Sequence, residues 1–208
     1  MSGNILTLLV AIPAVAALLL AFVPRENTGL FRIGAAVGTV ATFLVSLVAM
    51  ADFAVGTAEV QMIESKAWIP EWGITYVLGL DGISVLLVLL TTFIFPLVVL
   101  ASWEHTDRTK GFFIALLVLE SALIGVFMAL DLVLFYLFFE IMLIPMYALI
   151  GVWGGANRRY ASVKFFLYTL VGGLLMLVGI LSLSFPAGGA FADADALAVD
   201  LTRREEIR

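Results

Sequence analysis

Long apolar runs separated by short polar links dominate this chain. Runs near 5–23, 30–51, 82–101, 111–129, 132–152 and 162–184 each approach the roughly 20 residues a helix needs to cross a hydrocarbon core about 30 Å thick. The pattern predicts an all-α integral membrane protein with about six transmembrane helices. Pro13, Pro96 and Pro145 fall inside the first, third and fifth runs. Membrane helices tolerate such prolines because neighbouring groups re-satisfy the freed carbonyls. The first run lacks the basic flank of a signal peptide and is long enough to span.

The links alternate in charge. Arg25, Arg32, Arg108, Lys110, Arg158 and Arg159 cluster between spans one and two, three and four, and five and six. The other links hold Lys66 against Asp52, Glu59, Glu64, Glu71 and Asp131. The positive-inside rule places the basic links in the cytoplasm. The N-terminus and the stretch 185–208 then fall on the opposite side. That last stretch is small and polar, then charged, and is expected to be a flexible tail without a further span. Residues 54–80 are the one sizeable extramembrane piece, with Trp68, Pro70, Trp72, Gly73, Tyr76 and Gly79. Alternation over 74–80 predicts a short strand or hairpin, and its aromatics read first as interfacial anchors.

Composition narrows the function. The chain has 208 residues, 63% hydrophobic and 13% charged, with a mean hydropathy of +1.15. A soluble domain of that length needs a more charged surface. Cysteine is absent and His105 is the one histidine, which excludes disulfides, thiolate metal sites and multi-histidine ligation. No cofactor or metal is expected within the chain. The net charge of −5 is not that of a nucleic-acid binder, which needs a basic stripe.

Charge inside a span points to work. An ionised carboxylate at the bilayer centre costs about 2.5–3.5 kcal/mol on insertion scales, so it is rarely idle. Glu140 and Glu120 both fall near mid-depth, on the fifth and fourth runs. The link between those runs is short, so the helices are antiparallel neighbours. Two carboxyls at similar depth repel when both are ionised, if they face each other. One so placed can load and release a proton; the plainer reading is a permanent hydrogen bond between helices. Pro145 cannot donate to the carbonyl of Ile141, leaving an acceptor beside Glu140 for a water, or else a packing kink. Lys164 lies near the cytoplasmic start of the sixth run, about 12–15 Å from Glu140 in depth at about 1.5 Å per residue. Snorkelling is its default; a water-linked proton position near Glu120 is the alternative. Asp131 reads as an N-cap for the fifth helix. Gly34 with Gly38, and Gly172, Gly173 and Gly179, read as close-packing faces.

The stretch from Asp131 through Glu140 and Pro145 to Gly154 is similar to the fifth-helix signature of the subunit M family of NADH-quinone oxidoreductases. Trp68-Ile-Pro70, Gly73-Ile74, Tyr76, Leu78-Gly79 and Asp81-Gly-Ile-Ser84 resemble that family's lead into its third helix. Gly125-Val-Phe127 with Asp131, and Lys164-Phe-Phe-Leu-Tyr-Thr169, resemble its fourth-to-fifth turn and the opening of its sixth helix.

That resemblance implies an antiporter-like, proton-translocating subunit of the complex I membrane arm, related to Mrp antiporters. It would hold no flavin, iron–sulfur cluster or quinone. Its fifth-helix glutamate, matching Glu140, would be coupled to a lysine on the seventh helix. Family members have about fourteen helices, so this chain is expected to be incomplete alone and unable to pump without later helices, which a second chain could supply. The implied partners are other membrane-arm subunits and lipids, in an energy-transducing membrane such as the bacterial inner membrane. An Mrp-type antiporter subunit and a non-catalytic assembly scaffold are the alternatives.

Overall fold

A computed structural model describes residues 4–54, 56, 59–69, 74–104 and 108–184. Its elements are α1 (Ile5–Phe22), α2 (Thr28–Ala51), β1 (Gln61–Ile69), β2 (Ile74–Leu80), α3 (Ser84–Ala101), α4 (Thr109–Met128), α5 (Leu132–Trp153) and α6 (Arg158–Ser184). All six helices are long and apolar enough to cross a membrane. Each matches an expected span to within a few residues. Pro70, Trp72, Gly73, His105 and the tail from residue 185 lie outside the described residues.

Helices α1 to α4 pack as one group with α4 at its centre; α5 lies on α4, and α6 on α5. Between membrane helices the drive is close contact rather than expulsion of water, so small residues mark the tight seams. Gly34 approaches Leu20 of α1, and Gly38 meets Ala16 of α1 and Leu117 of α4. The ring of Phe138 on α5 fills the space left by Gly125 of α4. Gly172 and Gly179 face open space, so of the three α6 glycines only Gly173 is used in contact.

The extramembrane segment forms an antiparallel hairpin, β1 paired with β2, with Lys66 opposite Tyr76 and Glu64 opposite Leu78. Ile74, Val77, Leu78 and Leu80 are buried beneath it, while Trp68 stays exposed. Leu130 donates its N–H to Val77 O at 3.0 Å, fixing the hairpin to the α4–α5 turn. We call this end of the bundle the hairpin face. Leaving β2, Asp81 and Ser84 close a reciprocal cap on α3. Asp81 Oδ1 accepts from Ser84 N at 2.6 Å and Ile83 N at 3.0 Å, and Ser84 Oγ accepts from Asp81 N at 2.7 Å. This is the capping-box arrangement, with two orphan donors satisfied across one turn.

These bonds, led by the one from the Ser84 amide, hold the Asp81 carboxyl below its ordinary range. Because the folded value is the lower one, its stabilisation is complete above the unfolded value and vanishes as pH falls through the folded one. Acid titration of thermal stability should therefore lose part of its slope at low pH in Asp81→Asn. Superimposable acid limbs for variant and parent would refute this.

Glu64, on β1, does more than face water. Its carboxylate accepts from Leu6 N at 2.7 Å, Thr7 N at 2.9 Å and Thr7 Oγ1 at 2.6 Å. These are orphan amides of the first turn of α1, whose N-cap residue Asn4 makes no side-chain cap. An anion at a helix N-terminus also meets the positive end of its dipole. Tyr76 completes the cluster through a hydrogen bond with the Thr7 side chain. Burial pushes the phenol up, the Thr7 bond opposes this, and the Glu64 charge adds to it.

Candidate functional site

Glu140 leaves α5 toward α6. Its Oε1 fills the volume that a side chain at Gly173 would need, so a Cβ there would collide with that oxygen. Gly173 is thus the residue that admits the carboxyl between the two helices. One turn earlier on α5, Tyr136 hydrogen-bonds Glu140 through its side chain. Glu140 is half-buried, yet Oε1 is sealed from solvent and has no hydrogen-bond partner among the described residues. A carboxyl so held has acceptor capacity left over. It can take a proton there while the phenol keeps it in place.

Glu140 lies eight residues into α5 from Leu132, about 12 Å below the hairpin face at about 1.5 Å per residue. Helix α5 runs through the buried Pro145 without a break. The proline ring removes the donor that Ile141 O would otherwise receive from within the helix. Asp131 caps α5 as expected, accepting from Val133 N at 2.8 Å and Leu134 N at 2.9 Å.

Glu120 is fully buried, with no partner for either carboxyl oxygen among the described residues. It does not face Glu140. On α4, Gly111 meets Trp153 of α5 and Gly125 meets Phe138, with Phe112 also against Trp153. Leu116 and Ile124, one turn to either side of Glu120, belong to apolar clusters shared with α3. Leu117 meets Gly38 of α2. Residues three and four apart share a helix face, so Glu120 points at α2 and α3. The two carboxyls match in depth and diverge in direction.

Lys164 is exposed on α6. Its Nζ lies 5.7 Å from the Tyr160 ring centroid and 5.8 Å from that of Tyr168. The ammonium is held over two aromatic faces at successive turns. Glu140 meets α6 at Gly173, nine residues along the helix from Lys164, so the ammonium stands about 13 Å away along the axis. Among the described residues no cluster of three potential metal ligands occurs.

Tyr136 is the site residue that inspection of the charged positions misses. Its signal is there, a hydroxyl four residues before an intramembrane glutamate. Gly173 carries a weaker one, since a glycine that admits a carboxyl looks in sequence like any packing glycine.

Six packed spans with a carboxyl wedged between the last two define an all-α integral membrane protein. Residues 29–126 match the family described as NADH-ubiquinone oxidoreductase chain 4, amino terminus, and residues 129–198 match NADH:quinone oxidoreductase/Mrp antiporter, TM. The chain is 48% identical to NADH-quinone oxidoreductase subunit M of Rhodobacter capsulatus, over 89% of this chain and 36% of the relative. Against NADH-ubiquinone oxidoreductase chain 4 of Arabidopsis thaliana the identity is 43%, over 86% of this chain and 37% of that one. Among solved structures, a chain of respiratory complex I from Thermus thermophilus superimposes with a TM-score of 0.75 at 32% identity. That match covers 88% of this chain and 36% of the other. The chain belongs to the subunit M, or chain 4, family of NADH:quinone oxidoreductases. It spans a little over a third of the length of these curated relatives.

Proposed function

We propose that this chain contributes a proton-carrying carboxyl, Glu140, to a membrane-arm subunit of an NADH:quinone oxidoreductase. The observation that carries the reading is the Glu140 Oε1 seated against Gly173 between α5 and α6, sealed and without a partner. A carboxyl in that position is costly unless it works. Tyr136 holds it, and Gly173 makes its space. The redox chemistry is assigned to other subunits. Its partners are the other membrane-arm subunits and the lipid around them. The membrane is an energy-transducing one such as a bacterial inner membrane, with Arg25, Arg108 and Arg158 on the cytoplasmic side and the hairpin on the other. Lys164 serves as a cation at the cytoplasmic boundary and makes no direct exchange with Glu140.

The family match at residues 129–198 also covers Mrp antiporters, which keeps a cation/proton antiporter subunit as the second reading. The chain 4 match at 29–126 favours the oxidoreductase.

Replacing Glu140 by glutamine in the assembled complex removes the proton and keeps the shape. Proton translocation per electron should fall sharply while assembly and electron transfer to a soluble acceptor persist. A positioned proton-transfer group contributes about a hundredfold or more to the rate of its step. Unchanged proton stoichiometry in E140Q would sink the assignment.

A further inference from the structure

Between the two apolar clusters of the α1–α4 group lies a polar layer. The cluster toward the hairpin face includes Val88 of α3 and Ile124 of α4; the other includes Phe95 of α3 and Leu116 of α4. In the interval between them stand Glu120 on α4, Thr92 on α3, and Thr39, Thr42 and Ser46 on α2, all buried. Counted from the hairpin-face ends of their helices, Glu120 and Thr92 are each eight residues deep and Thr42 is nine. Glu120 and Thr42 thus lie about 12–14 Å below that face, while its bond to Ser46 ties Thr92 to a position one turn nearer the face on α2.

The hydroxyl protons of this layer are already committed. Thr39 Oγ1 donates to Ala36 O at 3.2 Å and Thr42 Oγ1 to Gly38 O at 2.9 Å. Ser46 Oγ and Thr92 Oγ1 lie 2.7 Å apart across α2 and α3, with Phe43 O 2.7 Å from the first and Leu89 O 3.1 Å from the second, so their two protons are shared among three contacts. A hydroxyl has one proton and two lone pairs. With the protons spent on carbonyls and on each other, what the layer has left is acceptors. An ionised carboxylate is acceptor-only and finds no donor here, whereas a carboxylic acid brings one. On α2 the hydroxyls recur at about one-turn spacing from Thr39 through Thr42 to Ser46, which lies only five residues from the helix end at Ala51.

We propose that Glu120, Thr42, Ser46 and Thr92 form a second proton-holding site, separate from Glu140, in which water links the Glu120 acid to the acceptors of the hydroxyl layer. The proton exchanges toward the hairpin face along the α2 hydroxyls with intervening water. It leaves the Glu120 oxygen for a water oxygen, and another returns from the same side. The site stands independently of the Glu140 reading, since it involves neither α5 nor α6.

The test is infrared spectroscopy of the full chain in lipid nanodiscs. A carboxylic-acid carbonyl band lost in Glu120→Gln identifies the group. Ser46→Ala and Thr92→Val, each a small change, should shift that band and slow its exchange in deuterated buffer. Glu140→Gln should leave band and exchange as they are. Absence of a band sensitive to Glu120→Gln overturns the proposal. So does a band indifferent to both hydroxyl variants, or one that Glu140→Gln moves as far as they do. A band that moves with sodium at constant pH assigns the layer to a metal cation and overturns it as well.

Discussion

Gly173→Ala should abolish proton translocation by the assembled complex nearly as completely as loss of the Glu140 carboxyl itself. The reason is steric and local: the added Cβ would occupy the volume of Glu140 Oε1. Either α6 backs away from α5, or the carboxyl swings out of the seam and away from Tyr136. Overpacking of this kind costs about 1–3 kcal/mol, which a six-span protein in lipid can absorb. Insertion and assembly should therefore survive, with the defect confined to proton transfer. The paired control is Gly172→Ala, because nothing lies within 4 Å of a Cβ at Gly172. Equal activity in the two variants would show that the seam at Gly173 is unimportant.

The second large effect is expected outside the membrane. Glu64→Ala removes the acceptor for two amides and one hydroxyl of the first turn of α1. The residue is 5% exposed, so water replaces the lost carboxylate poorly, and hydrogen bonds to charged groups are the strong ones. Breaking such a buried charged contact costs about 3–5 kcal/mol. Hydrogen exchange should report it as lost protection at Leu6, Thr7 and the β1–β2 pairing, with α5 and α6 unaffected. Glu64→Gln should fall between parent and alanine, since it keeps an acceptor but loses the charge that meets the helix dipole. Unaltered protection at Leu6 and Thr7 in the alanine variant would refute the fastening role.

The spans were legible because each is a run of apolar residues close to the bilayer's thickness, and no competing element has that length. The Asp131 cap was legible for a local reason, since a cap involves residues two or three apart. The fastening of α1 by Glu64 was not. It joins positions 58 and 57 residues apart, and in sequence Glu64 looks like any acidic loop residue. The directions of Glu120 and Glu140 were hidden for another reason. Their helices are apolar nearly all round, so no amphipathic stripe tells which face meets which neighbour. Depth could be counted from the helix ends, but azimuth needed the packing of Gly125 on Phe138 and of Gly173 on Glu140. Of the hairpin, the alternating strand over 74–80 was visible, while its partner 61–69 was obscured by charges and by register shifts.

Helix α1 is held at both ends by charges that belong to other segments. Glu64 of β1 grips its first turn, and at its last, Lys110 Nζ of α4 donates to Ala21 O at 2.7 Å and Val23 O at 2.8 Å. Sliding α1 by a single helical turn, about 5.4 Å, would tear both grips at once. Such a helix behaves as a fixed post whose height in the bilayer is set from either side. Helix α6 packs chiefly on α5. Motion in this chain should therefore be taken up at the seam that holds Glu140, where a small parting of α5 from α6 would open the carboxyl to water while the post stands still.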